Sequence, residues 1–280
     1  MFKSNGKLLI KWDAILSHLV LAIGAFLAFL PFLWMILSAF KTTGEIERLP
    51  PTFFPENPTM ENFTDVFTLL NFPRLFFNSL LVTIIITVSV CYTSGIVGYV
   101  LERVRFPGRN IIFFAIISTM FVPNQITRIV LWDAFNKLDL LNTYQALILP
   151  FLYSAFGIFL LKQNMYTIPE EIIDAGRIDG ASEIGIYHRI VLPNILPTLS
   201  ALAIFQFMFA YDEFFWPLIA LDNVDMYTVP LGLSFFQGQY YNNLGFAFAG
   251  TTIAVMPTII VFIVLQRQII QGITLTGLKG

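Results

Sequence analysis

Long apolar segments dominate this chain and leave it few ways to fold in water. Of its 280 residues, 56% are hydrophobic and only 12% are charged, whereas about 25% of residues are charged in an ordinary soluble domain. A helix needs about 20 predominantly apolar residues to cross a bilayer. We therefore predict an all-α membrane protein, one domain over residues 1–280, with six transmembrane helices at approximately 15–40, 75–100, 111–131, 144–161, 199–220 and 246–265.

The basic residues divide unevenly between the two sides of this topology. Six spans put both termini on one side, and that side receives 11 of the 16 Lys and Arg residues. Because cytoplasmic loops are enriched in Lys and Arg, we predict that both termini are cytoplasmic. The first apolar run has 26 residues, more than the about 7–15 of a signal peptide, so we interpret it as a retained span.

A charged segment at residues 165–195 interrupts the apolar sequence and is predicted to lie in the cytoplasm. Thr167 and Glu170 fit a capping box, and Pro169 suits the first turn of a short helix. Asp179-Gly180 permits a turn, after which residues 182–190 can form a second short helix.

Two prolines follow this segment. Pro193 and Pro197 predict that the second short helix does not continue directly into the next span. The residues alone support two interpretations equally: an amphipathic helix lying on the membrane surface, or a docking surface for a soluble partner.

Motifs in and around this segment resemble a known family. Asp174-Ala175-Gly176, then Gly180, then Ile190-Val191-Leu192-Pro193 resemble the Glu-Ala-Ala, Gly, Ile-x-Leu-Pro pattern of binding-protein-dependent ABC importers. Further resemblance to sugar-importing members lies in Asn78-Ser79-Leu80 and in the turn from Tyr99 to Arg109, so it covers nearly the whole chain. It implies a type I ABC importer transmembrane domain whose cytoplasmic coupling-helix loop spans 165–195.

The resemblance also implies which residues couple this chain to an ATPase. They are Glu170, Glu171, Asp174, Ala175, Gly176, Arg177, Asp179 and Gly180, with Gly277, Lys279 and Gly280 of the C-terminal tail. Two positions depart from the family pattern, since Asp174 replaces the usual Glu and Gly176 the usual Ala. Glycine costs a helix interior about 1 kcal/mol relative to Ala, so we expect docking to order this helix.

A translocation path is suggested by two acidic residues in the fifth predicted span. Asp212 lies 13 residues beyond Leu199, which places it about 20 Å into a core of about 30 Å. A carboxylate at that depth should face protein or water; alternatively, helix tilt puts both acids at the interface. Residues 211–218 also resemble the Trp-Asn-Glu/Asp-Phe-Leu-Trp-Pro-Leu segment of sugar permeases. The candidate path residues are Gln206, Asp212, Glu213 and Trp216.

Small and polar residues recur at helical spacing in the second span. Thr83, Thr87, Ser94 and Gly98 form this stripe. Such stripes usually permit close helix packing, and we favour that interpretation over a lining of the path.

The family resemblance implies a permease subunit of an ATP-driven carbohydrate importer in a bacterial-type inner membrane. The chain has no Gly-x-x-x-x-Gly-Lys-Ser/Thr loop, so we expect no cofactor on it and place ATP and Mg²⁺ on a partner ATPase. The expected partners are a homologous second permease, two ATPase subunits, an extracytoplasmic sugar-binding protein, the carbohydrate and membrane lipid, but no nucleic acid. Its single cysteine, Cys91, excludes an intramolecular disulfide or a Cys-based metal site, and we predict no catalytic residue.

One alternative comes from a different class of transporter. A gradient-driven secondary transporter would use Asp212 and Glu213 as proton carriers. Its transport would be independent of any ATPase and insensitive to changes in the 165–195 loop.

Overall fold

The computed structural model describes residues 12–69, 71–239 and 243–277, with side chains described in 15–69, 71–235 and 243–266. All regular elements within these ranges are helical. The α-helices are α1 (Trp12–Ala39), α2 (Thr43–Ile46), α3 (Glu61–Leu69), α4 (Phe72–Arg103), α5 (Arg109–Ser118), α6 (Asn124–Lys137), α7 (Tyr144–Ile148), α8 (Ala155–Met165), α9 (Glu170–Ile178), α10 (Glu183–Ile186), α11 (Leu192–Tyr211), α12 (Phe215–Ala220), α13 (Val229–Gln239) and α14 (Leu244–Gly277).

Four helical runs in the described residues are long and apolar enough to cross a membrane: Ile15–Ala39, Phe72–Arg103, Glu183–Tyr211 and Leu244–Gln266. The number rises to six if each of two bent helix pairs counts as one span. An all-α protein with membrane-spanning helices is therefore confirmed, while the count of six spans stays a prediction.

The third and fourth predicted spans are not straight helices. The pair Arg109–Phe121 and Asn124–Lys137 bends by 98°, and the pair Tyr144–Phe151 and Ala155–Met165 bends by 41°. Pro123 sits at the sharper bend, where its ring clashes with a continuing helix and it has no N–H to donate. The spans expected at 111–131 and 144–161 are each built from two helical pieces, and whether each pair forms one span stays a prediction.

The fifth predicted span begins and ends earlier than its apolar run indicates. Helix runs from Glu183 through a π-turn to Tyr211, and α12 follows as a separate short helix. The expectation that Pro193 and Pro197 separate the charged segment from the span is wrong. Pro193 lies two positions after the π-turn Tyr187–Val191, and α11 accommodates Pro197 in its interior.

Among the described residues, 12–66 and 243–253 form one of two compact units. The proline-rich stretch after α1 is ordered by buried polar groups. Lys41 lies 4.4 Å from the ring centroid of Trp34 and donates to Thr52 O. Glu45 accepts hydrogen bonds of 2.8 Å from the Thr52 hydroxyl and from Glu56 N–H.

The described residues 67–69, 71–239 and 254–277 form the second unit. Here α4 packs along α8 and α11. A Cβ on Gly98 would lie 3.2 Å from Lys162 N, and one on Gly157 would lie 2.5 Å from Ser94 Oγ. The helix backbones thus approach closely at small residues, which confirms the packing interpretation for Ser94 and Gly98. The single-domain assignment stays a prediction.

Candidate functional site

The 165–195 segment folds as two short helices, α9 and α10, joined by a glycine turn. Asp179 ends α9, and Gly180 has φ +78°, a conformation that glycine adopts without steric cost. Ser182 then caps α10, because its Oγ accepts a hydrogen bond from Gly185 N–H at 3.2 Å. The predicted turn and second helix are confirmed.

The predicted capping box at the start of α9 is wrong. Pro169 is the N-cap and contributes no side-chain hydrogen bond, while the Thr167 hydroxyl donates backwards to Asn164 O at 2.8 Å. Glu170 and Glu171 occupy the first turn of α9 instead, where negative charge interacts favourably with the helix dipole.

The inner face of this loop belongs to the same hydrophobic core as the membrane-spanning helices. Ile173 of α9 and Ile186 of α10 are fully buried. They join a cluster that continues through Tyr99, Leu161, Met165, Ile168, Tyr187, Val191, Ile195 and Leu202. Since well-packed interiors transmit displacement, a force on α9 is carried directly into α4, α8 and α11.

Gly176 lies on this inner face. A Cβ there would approach Ile190 Cδ1 to 2.8 Å and Ile186 Cγ1 to 3.4 Å. The small residue therefore serves packing between the two short helices within the chain, and it is not part of the exposed surface.

A polar network ties the two short helices to the end of α4. Arg177 donates from Nε to Glu183 Oε1 at 2.9 Å and from Nη1 to Asp174 Oδ1 at 2.9 Å. Its Nη2 donates to Arg103 O at 3.2 Å, and the Tyr99 hydroxyl donates to Glu183 Oε2. The hydrogen bond to Glu183 is the largest influence on the pKa of Arg177 and holds it above its ordinary value despite partial burial.

The Arg103 guanidinium extends this network to the residues before α9. Its Nη2 donates to Met165 O and Ile168 O. Sequence reasoning did not select Arg103 or Glu183, although opposite charges at 177 and 183 flanking a glycine turn were a usable signal. Both are essential to the observed geometry because each bridges separate elements.

The outer face of the loop mixes acids with projecting apolar side chains. Ile178 is 85% exposed and Ile184 is 72% exposed. The other exposed residues of this face are Glu170, Glu171, Ile172, Asp174, Ala175, Asp179 and Gly180. Clustered exposed apolar residues with a polar rim mark an interaction surface, and we call this set the outer face.

The C-terminal candidates are only partly described. Helix α14 extends to Gly277. Lys279 and Gly280 lie outside the described residues.

The four candidate path residues separate into two environments. Gln206 is half-buried on α11, and Asp212 is exposed. Helix α11 ends at Tyr211 and Asp212 is its C-cap, so Asp212 lies at a break between α11 and α12; its depth in the membrane stays a prediction. Trp216 is fully buried and donates from Nε1 to Ala146 O at 2.8 Å.

Glu213 forms a buried ion pair with Arg128 of α6. The two hydrogen bonds are 2.7 and 2.8 Å long, and the side chains are only 10% and 13% exposed. Glu213 Oε1 also accepts from Trp216 N–H at 2.9 Å. The guanidinium carbon lies 5.7 Å from the ring centroid of Phe151 and 5.5 Å from that of Phe215. Arg128 was not selected from the sequence, although a lone arginine in an apolar stretch requires an acidic partner.

The described part of the chain shows no metal-binding site. No group of three or more His, Cys, Asp or Glu side chains there could hold a metal ion. Cys91 is a free, half-buried thiol.

Similar proteins share this architecture. Residues 94–275 match the family described as binding-protein-dependent transport system inner membrane component. The arabinooligosaccharides transport system permease protein AraQ of Halalkalibacterium halodurans is 37% identical, covering 96% of this chain and 99% of the relative. The lactose transport system permease protein LacG of Rhizobium radiobacter is 33% identical, covering 92% of this chain and 94% of the relative.

Solved structures show the same fold. A chain of a bacterial ABC transporter involved in the import of the acidic polysaccharide alginate has a TM-score of 0.79 at 20% identity, covering 95% of this chain and 99% of that chain. A chain of bacterial alginate ABC transporter in complex with alginate pentasaccharide-bound periplasmic protein has a TM-score of 0.60 at 14% identity, covering 92% and 94%. The predicted fold class is thereby confirmed, and the chain belongs to the binding-protein-dependent transport system inner membrane component family.

Proposed function

We propose that this chain is a permease subunit of an ATP-driven carbohydrate importer, and that its substrates are oligosaccharides. The observation that carries the proposal is the 165–195 loop, whose outer face is exposed while its inner face shares one core with three helices of the membrane unit. Relatives named for arabinooligosaccharide and lactose transport support the substrate class.

The outer face is the proposed docking surface for a cytoplasmic ATPase. Ile178 and Ile184 supply apolar contact area, and the acids of α9 supply charge that basic groups of a partner can pair with. The coupling residues are Glu170, Glu171, Asp174, Ala175, Arg177, Asp179 and Gly180 on this loop, with Gly176 packing it from within, and Gly277, Lys279 and Gly280 in the tail. ATP and Mg²⁺ would be held by that ATPase.

The remaining partners follow from the same family. A homologous second permease, two copies of the ATPase and an extracytoplasmic sugar-binding protein would complete the importer. The complex of an alginate ABC transporter with a periplasmic protein supports the last of these. The distribution of Lys and Arg supports cytoplasmic termini in an inner membrane.

For the sugar path, we assign direct contact to Gln206 and Asp212 and a supporting role to Glu213 and Trp216. Gln206 and Asp212 are accessible in the isolated chain and offer hydrogen-bonding groups suited to sugar hydroxyls. Trp216 and Glu213 are committed to contacts within the chain.

The gradient-driven alternative gains no support from this geometry. A proton carrier must release and rebind its proton during transport, whereas both Glu213 oxygens accept hydrogen bonds from Arg128. That arrangement stabilises the ionised carboxylate.

The test is Ile178→Arg in the co-expressed complex reconstituted into vesicles, with Met60→Arg as the matched control. Met60 is also exposed but lies in the loop after α1. Ile178→Arg should weaken ATPase association about 30-fold, as expected for an interface hot spot of ~2 kcal/mol, and abolish ATP-driven sugar uptake. Met60→Arg should retain ATPase association.

Unchanged ATPase association and uptake in Ile178→Arg would contradict the docking assignment. Sugar uptake that continues without ATP in the wild-type complex would contradict the ATP-driven function itself.

A further inference from the structure

The turn between α4 and α5 follows a helix long enough to reach the lipid headgroups. Helix α4 has 32 residues and is therefore about 48 Å long, which exceeds the ~30 Å hydrocarbon core and matches the ~40–45 Å thickness that includes the headgroup regions. Its end at Arg103 is followed by residues 104–108, and α5 then returns with Ile111 and Ile112 exposed. The turn thus lies between water and the hydrocarbon.

An open cavity of about 430 Å³ occupies this turn. Its lining contains two guanidinium groups, one amide and two apolar side chains, but no carboxylate. The lining residues are Arg105, Phe106, Gly108, Arg109, Asn110 and Ile111. A ligand with a negative head and an apolar body matches this chemistry.

Both arginines have hydrogen-bonding capacity to spare. Arg105 is 84% exposed in its side chain and makes one hydrogen bond among the described residues, from Nη2 to Glu170 Oε1 at 3.1 Å. Arg109 likewise makes one there, from Nη1 to Glu102 O at 3.2 Å. Because a guanidinium carries five N–H donors, each can also donate two parallel bonds to a phosphate.

We propose that this turn binds the phosphate headgroup of an anionic phospholipid. Arg105 and Arg109 hold the phosphate, while Phe106 and Ile111 contact the glycerol and the first acyl carbons. Phe114, one helical turn beyond Ile111 and exposed, continues the apolar surface for the chain. Because Arg105 and Arg109 give the lining a positive charge, a net negative headgroup is preferred.

The site is connected to the coupling loop through Arg105. Glu170, its partner, opens α9, so the Glu170 carboxylate lies beside a headgroup bound at Arg105 and repels its negative charge. Glu170→Gln removes this repulsion and strengthens lipid binding severalfold.

The experiment measures binding of phosphatidylglycerol to the purified, assembled transporter by native mass spectrometry. The variant is Arg105→Gln with Arg109→Gln. The matched control is Arg48→Gln with Lys137→Gln, which removes two exposed charges from ion pairs elsewhere. The variant should bind the lipid about 30-fold more weakly, at ~1 kcal/mol per arginine, and the control should bind as the wild type does.

Three results would overturn the proposal: equal loss in the control, no loss in the variant, or equal affinity for phosphatidylcholine with the same acyl chains. Displacement by soluble glycerol phosphate would overturn the lipid assignment in favour of a free phosphate site, whereas resistance to it supports the lipid. The readout involves neither ATP nor sugar, so it does not depend on the proposed transport function.

Discussion

The pair Arg128 and Glu213 joins residues 85 positions apart, whereas the pair Arg177 and Glu183 joins two neighbouring short helices, and the two pairs lie in opposite surroundings. The first pair is almost fully buried, bidentate and flanked by aromatic rings. The side chains of the second pair are 33% and 45% exposed, and Arg177 also donates a hydrogen bond to Asp174. A buried pair is costly to separate, whereas an exposed network can exchange partners for little free energy. The first pair therefore suits a fixed anchor, and the second suits a surface that moves.

The largest expected effect comes from breaking the buried pair. Arg128→Gln leaves the Glu213 carboxylate uncompensated and should lower the free energy of unfolding by about 3–5 kcal/mol. Thermal unfolding of the detergent-solubilised complex measures this loss of stability. The control is Lys137→Gln on the same helix, which breaks an exposed pair with Asp133 and should cost less than ~1 kcal/mol.

Adding Glu213→Gln to Arg128→Gln should recover part of the lost stability, because two neutral amides can hydrogen-bond without a buried charge. If the single variant were as stable as the Lys137→Gln control, the pair would not be an anchor.

Glu45 is a buried acid without an arginine partner among the described residues, and its substitution shows whether such an acid stabilises the fold as Glu213 does. Burial alone would raise the pKa of Glu45, but hydrogen bonds from Glu56 N–H and the Thr52 hydroxyl, with the Lys41 charge, hold the pKa below its ordinary 4.5. The stability that Glu45 contributes is therefore present above pH 4.5 and is lost as the pH falls below it. Glu45→Gln should cost about 1–2 kcal/mol near neutral pH.

Hydrogen exchange of residues 43–57 at about pH 7 and about pH 4 measures this effect. The wild-type segment should lose protection at the lower pH, and the Glu45→Gln segment should lose less. Equal pH dependence in both proteins would show that another group titrates.

Breaking the exposed network should have a smaller effect on stability and a larger one on transport. Arg177→Gln should cost about 1 kcal/mol, since water screens a group that is one third exposed, while sugar uptake per ATP hydrolysed should fall severalfold. Arg189→Gln, in the same loop, is the control for lost charge. If the free energy of unfolding and sugar uptake fell in proportion to each other, Arg177 would act only by stabilising the fold and not in coupling.

The smallest effect is expected from Gly176→Ala. Alanine gains about 1 kcal/mol of helix propensity, but its Cβ requires Ile190 Cδ1 to move, so Gly176→Ala should change stability by less than ~1 kcal/mol. Gly176→Leu overfills the same space and should cost about 1–3 kcal/mol. Thermal unfolding of both variants separates the two outcomes, and a large loss with alanine would show that Ile190 cannot move.

Local sequence patterns predicted many helices and turns of this chain. The features that they did not predict depend on contacts between residues far apart in the sequence. The apolar runs located the α1, α4 and α14 spans, because a helix in lipid must be apolar along its length. The Asp179-Gly180 turn was predictable from the sequence, because glycine adopts positive φ angles without steric cost. The end of α11 could not be predicted, because Glu213 is held by Arg128, 85 positions earlier in the chain. Thr167 bonds Asn164 although it fits a capping pattern, since several local partners compete for a hydroxyl.

The π-turn at Tyr187–Val191 decides which isoleucine the loop displays. In an unbroken α-helix, residues 7 and 11 positions before the buried Ile195 would share its face, and these are His188 and Ile184. Both are instead exposed, and Ile186 and Tyr187 are buried. One residue corresponds to about 100° of helix rotation, so deleting a single position here would rotate α10 by that angle relative to α11 and turn Ile186 and Tyr187 away from the core.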